Sequence, residues 1–111
     1  MTARIEVTFH GVDVSPALRA AVEERAGRLP RLAEDIVSCH CVIEAQGRRQ
    51  THGNPYRVHV RVHLAGGALD TEGTGAEPYA TANAALETME RRLRDFVRRR
   101  RDQPRRRSDP A

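Results

Sequence analysis

Tyr56-Arg57-Val58-His59-Val60-Arg61-Val62-His63-Leu64 is the stretch that decides the fold. Val58, Val60, Val62 and Leu64 alternate with Arg57, His59, Arg61 and His63. A period of two over nine residues defines a strand with one apolar and one wet face, as in an antiparallel sheet. Downstream, Ala65-Gly66-Gly67 reads as a hairpin turn into a short strand over 68–74, with Leu69 its only large apolar residue. Upstream, residues 46–55 are a polar loop containing Gly and Pro. Residues 36–45 alternate again, with Cys39, Cys41 and Ile43 inward, and residues 4–10 do so through Ile5, Val7 and Phe9.

Two helices fit between and after these strands. Ser15-Pro16 is a helix start, with Ser as N-cap and Pro at the first helical position. Leu18, Val22 and Leu29 mark its buried stripe, with Ala21 and Ala26 beside it, and Pro30 stops it, which predicts a helix over 16–29. Glu77-Pro78-Tyr79 opens the second. Tyr79, Ala82, Leu86, Met89, Leu93 and Phe96 follow at spacings of 3, 4, 3, 4 and 3, and the helical period runs to about Arg101. The order is β-α-β-β-β-α. A helix joining the first two strands makes them parallel, and the later strands pair as hairpins. The expected fold is α+β: one domain over 1–101, a four-stranded mixed sheet with both helices packed on one face. Residues 102–111 read as a disordered Arg-rich tail.

The charge is uneven. The chain has nineteen Arg and no Lys, and ten of those Arg lie between Arg91 and Arg107. Residues 1–90 carry nine Arg against twelve carboxylates, a formal −3. Residues 91–111 carry ten Arg against three, a formal +7, and the two segments together give the chain's +4. A GC-rich coding composition accounts for the absence of Lys but not for the clustering. An acidic body ending in a cationic segment points to a polyanionic partner, because each Arg neutralises a phosphate and releases its counterion. Arg91, Arg92, Arg94, Arg98, Arg99 and Arg101 flank the apolar stripe of the second helix, and Arg25 and Arg28 lie three apart on the first. Side by side, the helices would join these groups into one phosphate-gripping face. The competing arrangement is two solvated faces, with Glu23, Glu24, Glu87 and Glu90 pairing some of the arginines.

Other chemistries find little support. Cys39 and Cys41 point to one face of a strand, where a disulfide is poorly placed and no second ligand pair offers a zinc site. They read as small buried hydrophobes. His40, His59 and His63 fall on the wet sheet face, but His59 and His63 are roughly 13 Å apart, too far to share an ion. Nucleophile elbows, phosphate-binding Gly-Lys loops and His-Glu-x-x-His motifs are absent. Gly73 and Gly75 precede a helix without the third glycine of a dinucleotide site. No cofactor, metal or small-molecule substrate is expected. No apolar run approaches a membrane span and no signal-peptide stretch follows the N-terminus, so a cytoplasmic protein without a membrane partner is expected.

Several local patterns resemble a known family. Val14-Ser15-Pro16-Ala17-Leu18-Arg19 opens the first helix, followed by Arg25 and Arg28-Leu29. Glu77-Pro78-Tyr79-Ala80 enters the second helix and Met89-Glu90-Arg91-Arg92-Leu93 forms its middle. With the β-α-β-β-β-α order, residues 4–101 resemble the ribosome hibernation promoting factors and ribosome-associated translation inhibitors, also labelled sigma-54 modulation proteins. The resemblance implies a fold similar to double-stranded RNA-binding domains. It also implies a non-enzymatic stress factor that binds the small ribosomal subunit and blocks the mRNA and tRNA channel by occupancy. Arg25, Arg28, Arg91, Arg92 and Arg94 would then face ribosomal RNA, and Tyr79 would anchor the helix start; the charge pattern of the second helix adds Arg98 and Arg99 to the expected RNA-binding residues. Thr88, Asn83 and Asp95 depart from the family pattern, and the chain lacks the dimerising second domain of long members, which implies a short-form role. A protein-interaction regulator of the sigma-54 modulation type and a general double-stranded nucleic-acid binder are the alternatives.

Overall fold

The computed structural model describes residues 3–45 and 55–102. Strands β1 (Arg4–His10), β2 (Ile36–Ala45), β3 (Tyr56–Leu64) and β4 (Gly67–Gly75) form one sheet in that spatial order. β1 and β2 are parallel, from Arg4 opposite Ser38 to His10 opposite Glu44. The β2–β3 and β3–β4 pairs are antiparallel. Helix α1 (Pro16–Ala26) and helix α2 (Pro78–Asp102) cover the same side. This is the expected mixed α+β sheet. Of the loop expected at 46–55 and the tail expected at 102–111, residues 46–54 and 103–111 lie outside the described residues.

The core is aliphatic because the chain offers few aromatics. Val58, Val60 and Val62 of β3 and Cys39, Cys41 and Ile43 of β2 are essentially inaccessible, as are Leu86, Met89 and Leu93 of α2. Both cysteines are free thiols. The neighbouring Cys39 sulfur and burial push the Cys41 thiol up, so it stays protonated and packs as a small hydrophobe.

Four boundaries differ from the sequence expectation. α1 ends at Ala26, not residue 29, because Gly27 weakens the last turn and the Pro30 ring excludes the carbonyl of Ala26. Leu29 still reaches the core, through a separate 3-10 turn over Leu29–Arg31. Ala21 is exposed on the outer side of α1. Tyr79 is 40% exposed and stands outside the α2 core stripe, which starts at Thr81 and Ala82. α2 extends one residue further than expected, to Asp102, and β4 gains a residue at each end.

Of the three glycines of β4, Gly75 has a packing role. A Cβ on Gly73 would make ordinary contact with the Thr81 carbonyl oxygen at 3.6 Å, whereas one on Gly75 would run into Thr81 Oγ1. Bare backbone at Gly75 therefore lets the start of α2 lie close on β4. Thr71 Oγ1 donates to the Ala85 carbonyl across the seam (3.0 Å), and Thr81 Oγ1 donates to the Glu77 carbonyl at the start of α2 (2.7 Å). Gly75→Ala should lower the stability of the fold by about 1–3 kcal/mol through overpacking, read as a shift in the urea midpoint. An unchanged midpoint would mean the seam is looser than these distances say. Gly66, at φ +96°, makes the two-residue turn between β3 and β4, a conformation other residues rarely adopt.

Candidate nucleic-acid interface

The second helix builds the candidate site. Its 25 residues span about 37 Å, longer than any strand beneath it. The surplus lies at its C-terminal end, where Arg100 donates to both carboxylate oxygens of Asp35, at 2.8 and 3.1 Å. The same guanidinium lies 4.9 Å over the Phe96 ring. The Arg100 guanidinium holds the Asp35 carboxyl below the usual carboxylate range. Arg100 is thus the one arginine of the cluster that is spent on anchoring the helix end.

The remaining arginines sort by helical position. Arg91, Arg94, Arg98 and Arg101 recur at spacings of 3, 4 and 3, which places them on one strip about 15 Å long, opposite the stripe of Leu86, Met89 and Leu93. All four are exposed. Among the described residues, Arg98 pairs with Asp95 and the other three make no ion pair. An exposed pair of this kind contributes little, so Asp95 does not remove Arg98 from the strip.

Arg92 and Arg99, seven apart, lie on the flank towards β4. Arg92 donates to the Asp70 carbonyl at 2.7 Å. On the opposite edge, Arg19 donates to the Val7 carbonyl at 2.8 Å and lies over the Phe9 ring. Each edge strand of the sheet therefore has a carbonyl covered by an arginine from the helix layer, which hinders pairing with another chain. Beside Arg92 an open hollow is lined by His59, Asp70, Glu72 and Thr88.

The first helix contributes less than its sequence suggests. Arg25 is turned into the seam between the helices, with its side chain 23% exposed. There its Nε lies 3.5 Å from Glu90 Oε2 and its Nη1 donates to Asn83 Oδ1 at 3.4 Å. The Nε is buried and lacks a hydrogen bond, because the Glu90 contact has the distance of an ion pair but not the geometry of a bond. Arg28, two residues beyond the end of α1, is exposed and pairs with Glu24 of that helix at 3.5 Å. The structure thus brings Arg91, Arg94 and Arg98 together with Arg101, and sets Arg92 and Arg99 beside them. It does not bring Arg25 to that surface. The 3-4-3 spacing was legible in sequence. The seam position of Arg25 required knowing that Asn83 and Glu90 share the flank facing α1.

Residues 5–101 match the family model described as Sigma 54 modulation protein / S30EA ribosomal protein. A ribosome hibernation promotion factor of Deinococcus radiodurans is 29% identical over 91 residues, covering 82% of this chain and 47% of that protein. A ribosome hibernation promoting factor of Azotobacter vinelandii is 23% identical over 90 residues, covering 81% and 78%. The chain therefore spans about half the length of the first relative. Among solved structures, a ribosomal subunit interface protein from Coxiella burnetii superposes with a TM-score of 0.69 at 24% identity, covering 85% of this chain and 97% of that one. The N-terminal domain of Thermus thermophilus Protein Y gives a TM-score of 0.70 at 23% identity, covering 86% and 99%. At these identities the superpositions establish the fold.

Proposed function

Because the chain belongs to the Sigma 54 modulation protein / S30EA ribosomal protein family, we propose that it is a ribosome-associated hibernation factor of bacterial cytoplasm. It docks on ribosomal RNA of the small subunit and blocks the mRNA and tRNA channel by occupancy, without catalysis. The observation that carries this reading is the exposed strip Arg91-Arg94-Arg98-Arg101 on a helix whose other side is core. The names of the curated relatives, both ribosome hibernation factors, point the same way.

The mechanism is electrostatic docking on a rigid support. The strip offers planar guanidinium forks to phosphate oxygens, and Arg99 beside it widens the cationic area. Such contacts fix position on the backbone and carry no base readout. Arg92 extends the surface while one of its nitrogens holds the β4 edge. Arg25 acts as a positioning residue, setting α1 against α2 through Glu90 and Asn83. The buried aliphatic layer keeps α2 straight on the sheet, so the arginines are presented with little reorganisation.

Purified chain should co-sediment with small ribosomal subunits, be released as salt rises, and compete with mRNA for the subunit. Recovery of a protein partner that survives nuclease treatment, with no ribosomal RNA retained, would replace this reading with a protein-interaction regulator. Equal affinity for a random duplex would replace it with a general double-stranded binder.

A further inference from the structure

The side of the sheet away from the helices takes no part in the function proposed above. The helices and the core lie against the sheet's other side. Its charged groups are Arg4 and Glu6 of β1, Glu44 of β2, Arg57 and Arg61 of β3, and Asp70 and Glu72 of β4, a formal −1. These groups largely neutralise one another. Arg57 reaches Glu44 at 3.6 Å and Glu72 at 3.3 Å, and Arg61 grips both oxygens of Asp70 at 2.9 and 3.1 Å. The hydrogen bond from Arg61, and after it that from His59, hold the Asp70 carboxyl below its usual range.

Four of the chain's five histidines lie on this same face. His10 stands opposite Glu44; His40 lies between Glu6 of β1 and Arg61 of β3; His59 lies between Val42 of β2 and Glu72 of β4; and His63 lies between Ser38 and Ala68. His59 Nε2 is 2.9 Å from Asp70 Oδ1, and His40 Nε2 is 2.8 Å from Thr8 Oγ1. Protonating all four turns the formal −1 into +3. Among the described residues the helix side carries only arginine as its cation and keeps its sign throughout. The imidazole rings also stand on an open four-stranded sheet, the kind of platform on which unpaired bases stack.

We propose that this open sheet face is a second nucleic-acid surface, which takes single-stranded RNA once His10, His40, His59 and His63 carry protons. The choice of ligand rests on the RNA reading of the helix side, and the change of sign does not. Near neutral pH the molecule binds RNA on one side. In acid it binds on two, and one chain can hold two RNA segments.

The test removes the helix strip first. A chain with Arg91, Arg94, Arg98 and Arg101 all replaced by Gln is titrated with a short oligouridylate at about pH 7.5 and about pH 5.5. His52, outside the described residues, is replaced by Gln in every background. Affinity of the strip-neutralised chain should rise about tenfold or more on acidification, with a steeper salt slope. Adding His10→Gln, His40→Gln, His59→Gln and His63→Gln should abolish the rise. Should the fourfold histidine change disturb folding, His10→Gln with His63→Gln alone, both exposed, should reduce the rise. An acid gain that survives the histidine changes in a folded chain, or no gain in the strip-neutralised chain, overturns the proposal. Because the strip is already absent, either result leaves the helix-side reading standing. That reading fails separately, if the chain with its arginines intact does not bind RNA at pH 7.5.

Discussion

A chain carrying Gln at positions 91, 94, 98 and 101 is expected to bind the small subunit roughly 10²- to 10³-fold more weakly at about 0.1 M salt, with its fold intact. The estimate follows from counterion release. Each phosphate contact on a single strand contributes about 0.7 to the slope of log affinity against log salt, so four contacts at that salt amount to nearly three decades. The slope itself should flatten by about 3. These four side chains are exposed and, among the described residues, Arg98 alone has a carboxylate partner, so their replacement leaves packing untouched and the melting temperature near that of the parent. Arg25→Gln is the internal comparison. Arg25 lies in the seam against Glu90, so its loss should act on stability and helix placement and leave the salt slope nearly unchanged. A quadruple variant that keeps the parent slope would remove the strip from the interface, whatever its affinity. A single Arg25→Gln variant that flattens the slope by a full contact would put Arg25 on the RNA instead.

The strands were readable almost residue for residue, for a physical reason. One face of the sheet is wet, so burial imprints a strict alternation, and Val58 to Leu64 and Cys39 to Ile43 repeat it on neighbouring strands. Helix ends were harder because two local effects compete. At 27–30 the apolar period continues to Leu29, while Gly27 and Pro30 end the α-helix three residues earlier and a 3-10 turn delivers Leu29 to the core by another route. Tyr79 fits the helical spacing but sits in the first turn of α2 and stays exposed, ahead of the buried stripe that begins at Thr81 and Ala82. For the candidate site, composition located the cationic helix, but in sequence its arginines form one set flanking the apolar stripe. The expected RNA-facing residues omit Arg101, and nothing in that expectation separates the outer strip from Arg92 and Arg99 on the β4 flank. Which arginines have other duties was not legible. Arg100 finds Asp35 across 65 residues, Arg92 finds a carbonyl on β4 and Arg25 finds Glu90, and each pairing depends on the docking of two elements rather than on local sequence. The same limit hid the meaning of Gly75, whose bare backbone matters only once α2 lies against it.

Leu93→Ala separates the platform from the arginines it carries. Leu93 has no exposed surface and lies in sequence between Arg92 and Arg94, on the opposite side of α2 from the strip. Truncating a fully buried leucine removes its transfer free energy and leaves a cavity, a loss of about 2–5 kcal/mol. Domains of this size have only about 5–15 kcal/mol in total. The melting temperature should therefore fall by about 10 °C or more. Every charge remains in place, so the effect on binding has a different signature from that of the arginine changes. Well below the midpoint, the variant should bind small subunits with the parent's salt slope. Near the midpoint, binding should be lost in step with the folded fraction, because an unfolded α2 cannot hold four guanidinium groups in line. A loss of binding at low temperature, with the fold intact by circular dichroism, would mean that Leu93 shapes the interface directly. A stability change under about 1 kcal/mol would mean that the α2 stripe is not the core it is taken to be, and the strip opposite it would lose its geometric basis.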